Sequence, residues 1–165
     1  MRKLAITLAV LATLALAAVA YAALPQKGPF AGKTALHPIN GFADLVTFTA
    51  NGTSLKKFTF GTLGCFGHGS LPVGTDPYAD PTNTAVLKTL TVGASGAFSF
   101  KGPATLADPQ GIVTTATVTG TVSSPTSVSG VITITQTQNG DTCGPSKMKF
   151  TATPGTPTSL GLNGG

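Results

Sequence analysis

The chain has no tryptophan and no glutamate, and its single arginine is Arg2. Charged residues make up only 9% of its 165 residues. Nucleic-acid binders neutralise phosphates with clustered lysine and arginine, yet Lys56-Lys57 is the only adjacent basic pair after residue 3. Exposed aromatic platforms for sugars are also disfavoured, because Tyr78 is the only tyrosine after residue 22. The composition predicts a protein that does not bind nucleic acid.

A long apolar run occurs only at the start of the chain. Arg2-Lys3 is followed by a predominantly apolar stretch over residues 4–19 and then by Ala20-Tyr21-Ala22, the arrangement of a secretory signal peptide with an A-x-A cleavage site. We expect residues 1–22 to be removed and the secreted chain to begin near Ala23, with no membrane span after cleavage. Eight lysines then face five aspartates, a net charge of about +3 (8 − 5).

Apolar residues after the signal recur every second position, as in half-buried β-strands. The clearest pair of strands is 112–122 and 128–136, joined by a loop over residues 123–127 as a hairpin. Their apolar faces coincide when Val118 lies opposite Ile132, a register that also places Gly120 opposite Gly130. We expect an aromatic ring from elsewhere to fill the notch that the paired glycines leave.

A second hairpin is indicated by Asn51-Gly52, which favours a two-residue type I′ turn and would set Phe48 opposite Leu55. Strict pairing would then give Phe58 and Phe60 the wrong parity for the core. The sequence therefore predicts a β-bulge near Lys56-Lys57. Further strands are expected at 84–92, 96–101 and 147–153, the first of them at a sheet edge because Lys88 interrupts its apolar face.

This pattern of short strands predicts a single all-β domain over residues 23–153. An antiparallel β-sandwich of about eight strands is the favoured architecture, and a small β-barrel is the alternative. Residues 154–165 are poor in apolar side chains and are expected to form a disordered tail.

The segment 65–80, CFGHGSLPVGTDPYAD, combines residue types that act in catalysis and metal binding, among them Cys65, His68 and Asp76. Its Cys65 has one possible partner, Cys143, and two cysteines in an exported chain usually form a disulfide. Zinc is the alternative, because Cys65 and His68 have the spacing of ligands and could combine with Cys143 and His37. Since only one such close pair exists, we predict the disulfide and no bound metal or other cofactor.

Two other reactive sites can be considered in the same region. Asp76, Asp80 and Asn83 offer oxygens to calcium, although the prolines beside them make these residues ordinary turn formers. His68, Ser70 and Asp76 have the residue types of a hydrolase, but Ser70 lacks a G-x-S-x-G motif. We expect no catalytic residue here.

The predicted hairpin of strands 112–122 and 128–136 also presents a polar face. Threonines alternate with its apolar residues on both strands, at Thr115, Thr117, Thr119, Thr133 and Thr135. Threonine is a common exposed strand residue, so the pattern needs no ligand. A regular array of hydroxyls could also contact a polymer or ice.

The order of these features resembles a group of uncharacterised secreted bacterial all-β domains with one disulfide. The residues that carry the likeness are the GPFAGKT segment, the VTFTANGTSLKKFTF hairpin, Cys65, the GAFSFKG and VTGTVSSPTSVSGVI segments, Cys143 and the KFTA segment. The likeness spans about residues 28–152 and implies the fold and a disulfide, with no assigned activity.

We expect a non-catalytic extracellular or envelope-associated binding or structural module whose ligand and partner are unknown. The alternative is a secreted hydrolase that uses His68 in the 65–80 loop.

Overall fold

The computed structural model of the protein describes residues 23–34, 45–63, 79–107, 109 and 111–157. This part of the chain forms eight β-strands and no α-helix. The strands are β1 (Gly28–Thr34), β2 (Leu45–Ala50), β3 (Ser54–Leu63), β4 (Ala79–Thr91), β5 (Ala97–Leu106), β6 (Val113–Ser124), β7 (Ser127–Gln138) and β8 (Asp141–Pro154). The all-β prediction is confirmed, and the strands predicted at 84–92, 96–101 and 147–153 correspond to the longer β4, β5 and β8.

The strands form a closed barrel in which each pairs antiparallel with the next and β1 pairs with β8. The favoured sandwich is therefore wrong, and the alternative of a small barrel is confirmed. Closure depends on the β1–β8 ladder, which runs from Phe30 opposite Pro154 to Thr34 opposite Phe150. Gly32 permits this approach, because a Cβ there would overlap the carbonyl oxygen of Thr151.

Alternation along the strands sends the apolar side chains inward, where they form one core. Phenylalanine rings contact one another within this core. Phe48 stacks on Phe30 and on Phe58, with ring centroids 5.2 Å and 5.4 Å apart, and Phe150 meets Phe58 edge-on at 5.5 Å. These are favourable aromatic geometries. An eight-stranded barrel has an interior that side chains can fill, as they do here.

The β6–β7 hairpin has the predicted register. Val118 lies opposite Ile132, and Gly120 lies opposite Gly130. The loop is shorter than the predicted residues 123–127, since both strands continue to Ser124 and Ser127 and a register shift falls between Val122 and Ser124. The strand alternation persists almost to the turn.

Aromatic rings fill the glycine notch on both sides. Phe98 on β5 lies opposite Gly120, and Phe150 on β8 lies opposite Gly130. A Cβ at Gly120 would come within 2.8 Å of Cε2 of Phe98, and one at Gly130 within 2.8 Å of Cε1 of Phe150. The prediction of a ring in the notch is thus confirmed, with two rings in place of one.

The β2–β3 hairpin exists, but its predicted turn is wrong. The Asn51 amide donates to the Ser54 carbonyl over 2.8 Å, so Gly52 and Thr53 are the central turn residues. Gly52 has φ 65°, at the first central position, where type II′ turns favour glycine. Leu55 consequently lies opposite Ala50 and not opposite Phe48.

The predicted bulge in β3 is confirmed. The register shifts between Thr47 and Thr49, and Lys57 on β3 has φ 51°. Lys56 and Lys57 are both exposed, whereas Phe58 and Phe60 are buried. The bulge therefore restores the phenylalanines to the core, as the sequence required.

Strand β4 is not an edge, because it pairs with β3 and with β5. Lys88 and the next residue, Thr89, are both exposed, so the alternation of β4 breaks beside the β3 bulge. Lys88 thus avoids the core through this local irregularity. The prediction of an edge is wrong for β4 as a strand, but its ladder with β5 covers only Ala85 and Val86, so Lys88 lies outside that ladder.

The two ends of the barrel differ in the connections they carry. At the turn end, short turns join β2 to β3, β4 to β5 and β6 to β7. Strands β1, β3, β5 and β7 finish at the other end, which we call the loop end. Along the sequence, all five aspartates fall within or beside the connections that start there: Asp44, Asp76, Asp80, Asp108 and Asp141.

The two ends of the predicted domain are partly described. Ala23 packs against the core, and the Gln26 amide donates to the Pro125 carbonyl over 2.9 Å. Strand β8 includes Pro154, and the Gly155 amide donates to the Pro29 carbonyl over 3.0 Å. The predicted signal peptide and residues 158–165 of the predicted tail lie outside the described residues.

Candidate functional site: the threonine face

Among the described residues, a regular polar surface lies on the outside of β6 and β7. The buried side chains of Ala116, Val118, Ile132 and Ile134 hold the inner face of this hairpin in the core. Alternation then turns the residues between them outward. We call this surface the threonine face; its members are Thr115, Thr117, Thr119 and Thr121 on β6 and Ser129, Thr133 and Thr135 on β7.

The threonine face is arranged in rows across the two strands. Thr115 lies opposite Thr135, and Thr117 lies opposite Thr133. Opposite residues of an antiparallel pair hold their Cβ atoms about 5 Å apart, and successive outward residues of one strand lie about 7 Å apart. The ladder thus presents hydroxyl groups at a nearly constant spacing along β6, while on β7 the valine Val131, opposite Thr119, interrupts them. The predicted array is confirmed as a surface feature, while its role stays a prediction.

The strands on either side add lysines to these rows. Lys101 on β5 lies opposite Thr117, and Lys147 on β8 lies opposite Thr133. One row across four strands therefore reads Lys101, Thr117, Thr133 and Lys147. In the adjacent row, Lys149 lies opposite Val131. The backbones at the two ends of the four-residue row are three strand spacings, about 14 Å, apart.

The charge of this surface has one sign. Lys101, Lys147 and Lys149 are all exposed. Strands β5, β6 and β7 contain no acidic residue in their sequences, and β8 contains only its first residue, Asp141, at the loop end. The outer side of β5 to β8 therefore combines hydroxyl groups with cations and offers hydrogen bonds and positive charge together.

A second group of lysines lies on the other side of the barrel. Lys56 and Lys57 project from the β3 bulge, and Lys88 lies on the adjacent β4, one residue from Thr89, which is the register partner of Lys56. We call these three residues the bulge lysines. They lie beside β2, β3 and β4 rather than beside the threonine face, so the two basic regions can be tested separately.

A buried polar pair was missed in the sequence. Gln136 on β7 and Thr114 on β6 are each 2% exposed, and Gln136 Nε2 donates to Thr114 Oγ1 over 3.2 Å. The two residues lie opposite each other near the loop end. Gln136 is in phase with Val128, Ile132 and Ile134 in the sequence, and that phase is the signal that could have revealed it.

Only one of the two predicted disulfide cysteines is described. Cys143 is half-buried on β8, opposite Gln136, and it is not a free thiol. Its predicted partner, Cys65, lies outside the described residues, so the Cys65–Cys143 disulfide stays a prediction.

The other candidate reactive residues are not brought together by described contacts. His37, His68, Ser70 and Asp76 lie outside the described residues, as do the side chains of Asp80 and Asn83 in β4. The zinc, calcium and hydrolase alternatives therefore stay untested. Among the described residues, no three histidine, cysteine or acidic side chains form a group that could hold a metal ion.

Comparison of the chain with protein-family models, with curated proteins and with solved structures found no match. The resemblance to secreted bacterial all-β domains thus stays a prediction. In the part of the chain that the structure describes, no helix has the length and apolar character needed to cross a membrane.

Proposed function

We propose that the protein is a secreted, non-catalytic binding module that acts in the extracellular space or at the cell envelope, and that it contacts an extended polymer through the threonine face. The observation that carries this proposal is the row formed by Lys101, Thr117, Thr133 and Lys147 across four neighbouring strands. An extended polymer can use such a row, because one chain laid across the four strands can contact several of these side chains at once.

The barrel supports this role by holding the surface rigid. Thr117 and Thr133 lie opposite each other within the continuous pairing of β6 with β7, which runs from Val113 to Val122. The buried residues on the inner face of the hairpin fix this register. A preorganised surface loses less conformational entropy when it binds, so weak contacts add up more effectively. The barrel fold alone does not indicate a function, because proteins with one fold can have many functions.

Secretion and the disulfide belong to the same proposal. The signal peptide predicted at residues 1–22 would export the chain to a compartment where a Cys65–Cys143 disulfide persists. Mass spectrometry of the secreted protein should then find an N-terminus at or within a few residues of Ala23. Retention of the first 22 residues would contradict the proposed location.

The decisive experiment is co-sedimentation of the full secreted chain with the insoluble envelope fraction and extracellular polymers of the producing cells. The variant Thr117→Val/Thr133→Val removes two hydroxyls and keeps the shape of both side chains. Because each lost hydrogen bond costs about 1 kcal/mol, the loss of two should weaken binding by about 2 kcal/mol, or about thirtyfold.

The control is Thr47→Val/Thr84→Val, since these threonines are half-buried, as Thr117 and Thr133 are, but lie on β2 and β4. It should bind like the unmodified protein. Unchanged binding by the Thr117/Thr133 variant, or an equal loss in the control, would contradict a role for the threonine face. Turnover of ester, peptide or glycoside substrates that is abolished by His68→Ala would support the hydrolase instead.

A further inference from the structure

The distribution of charge on the outer side of β5 to β8 indicates which class of polymer the threonine face would bind. The cations on the outer side of β5 to β8 stand in two columns that flank the threonine face, Lys101 on one side and Lys147 with Lys149 on the other. The chain's carboxylates fall elsewhere in the sequence, at the connections of the loop end. The flanked face is therefore complementary to a negatively charged ligand.

We propose that the threonine face, with its two lysine columns, binds an acidic polysaccharide, that is, a chain of sugars carrying carboxylate groups. This inference rests on the proposed function and specifies its ligand. The lysine ammonium groups meet the carboxylates, and the threonine hydroxyls between them exchange hydrogen bonds with the sugar hydroxyls, as donors and as acceptors. One ligand then contacts both the lysines and the threonine hydroxyls.

Residue types on this surface favour a polysaccharide over a nucleic acid. The outward positions of β5 are Ala97, Ser99, Lys101, Pro103 and Thr105, and those of β6 and β7 are hydroxyl residues except for Val113 and Val131. The chain after residue 2 has no arginine, the residue whose planar guanidinium group binds phosphates with two hydrogen bonds. Lysine acts as a point charge and tolerates the varied positions of sugar carboxylates.

The same residues disfavour an anionic membrane. Peripheral membrane binding combines cations with apolar or aromatic side chains that enter the lipid boundary. On the described outer positions of β6 and β7, Val113 is the most exposed large apolar residue, and it lies at the loop-end limit of β6, away from the lysine columns. A flat surface of hydroxyls and cations suits a hydrated polymer better.

The expected energetics are those of many weak contacts. An exposed ion pair contributes about two- to fivefold in affinity, so the three lysines together contribute about tenfold or more. A polymer that engages several protein molecules or several rows gains further from effective concentration. Because the contacts are solvent-exposed, salt should weaken them strongly.

The test measures binding of the full secreted chain to polygalacturonate by affinity electrophoresis, with dextran, duplex DNA and vesicles containing anionic lipid as comparison probes. The variant Lys101→Gln/Lys147→Gln/Lys149→Gln should bind polygalacturonate at least about tenfold more weakly than the unmodified protein. The control Lys56→Gln/Lys57→Gln/Lys88→Gln removes the same charge from the bulge lysines and should change binding less than about twofold. All six lysines are exposed, so folding should tolerate both variants.

Several results would overturn the inference. Equal losses in the two lysine variants would show attraction by net charge alone. Binding to dextran as tight as to polygalacturonate would show that acidity is irrelevant, and tighter binding to DNA or to vesicles would replace the polysaccharide by another partner.

The salt dependence of binding tests the acidic ligand without any substitution in the protein. Raising the salt from about 0.01 M to about 1 M shortens the screening length from about 30 Å to about 3 Å and should abolish binding to polygalacturonate. Envelope co-sedimentation that needs Thr117 and Thr133 but resists both salt and the lysine variants would retain the proposed function and refute the acidic ligand. Co-sedimentation that ignores Thr117 and Thr133 would refute the proposed function itself.

Discussion

Gly120 on β6 lies directly under the ring of Phe98 on β5, its register partner. A Cβ at Gly120 would come within 2.8 Å of Cε2 of Phe98 and 2.5 Å of the Ser129 carbonyl oxygen. Since one obstacle is backbone, rotation of the ring alone cannot make room. Glycine is therefore required here by the packing of two neighbouring strands, with no need for an unusual φ.

We expect Gly120→Ala to destabilise the protein by about 1–3 kcal/mol, the usual cost of overpacking a core. Gly93→Ala is the matched control, because Gly93 is exposed in the β4–β5 turn and a Cβ there would meet only the Ala97 carbonyl oxygen, at 3.4 Å. Urea unfolding measures both variants. Equal stabilities for the two would contradict the close contact between Phe98 and Gly120.

The β3 bulge makes a prediction of opposite sign. Lys57 has φ 51°, a left-handed conformation that costs an ordinary residue about 1–2 kcal/mol and glycine almost nothing. Glycine also loses more entropy on folding, by about 0.5–1 kcal/mol, so Lys57→Gly should stabilise the protein by about 0.5–1 kcal/mol. Thermal and urea unfolding both report this change.

Lys56→Gly is the control, because Lys56 is equally exposed but its φ is not positive. It should destabilise the protein by about 0.5–1 kcal/mol, the ordinary penalty of glycine in a strand. If the two lysine-to-glycine variants change stability in the same direction, the bulge does not lie at Lys57.

The buried pair of Gln136 and Thr114 is tested by removing its members singly and together. Thr114→Val deprives Gln136 Nε2 of an acceptor at a 2% exposed position, which should cost about 1–3 kcal/mol. The double variant Thr114→Val/Gln136→Leu removes both polar groups and should be closer to the unmodified protein than the sum of the single variants. Additive effects in urea unfolding would show that the two side chains do not interact.

The register of β6 and β7 could be predicted because the apolar residues of both strands mostly alternate with polar ones and their glycines coincide. A shift by one residue would have exposed Val118, so parity alone excluded it. The β2–β3 register was off by two residues, a shift that preserves parity: Leu55 lies opposite Ala50, whereas Phe48 was expected. Alternation determines which face a residue occupies, but it does not distinguish registers that differ by two.

Closure of the barrel could not be predicted from local patterns. A sandwich and a barrel require the same inward and outward alternation, and they differ in which strands pair: a sandwich divides the strands into two sheets, whereas here all neighbours pair and β1 pairs with β8. Similarly, the threonines of the candidate site were visible in the sequence, but the lysines beside them were not assigned to it. Lys101 and Lys147 join the site only through the pairing of β5 and β8 with the hairpin.

Cys143 is half-buried on β8 and is not a free thiol. If its partner is Cys65, thiol titration of the oxidised and denatured protein should find no free thiol. Reduction should lower the free energy of unfolding by up to about 4.5 kcal/mol, since the bond would close a loop of about 80 residues. Chelators should leave stability unchanged, and His68→Ala should change it by less than about 0.5 kcal/mol, as expected for a residue that binds no metal.

A zinc site built from Cys65, His68, Cys143 and His37 makes the opposite predictions, because metal-binding energy then contributes directly to folding. Denaturation in chelator would release two titratable thiols, chelation would destabilise the native protein, and His68→Ala would cost several kcal/mol. The double variant Cys65→Ser/Cys143→Ser separates the two cases when combined with His68→Ala. For a disulfide, the histidine substitution stays neutral in either background; for zinc, its cost disappears once the cysteines are gone, because the site no longer exists.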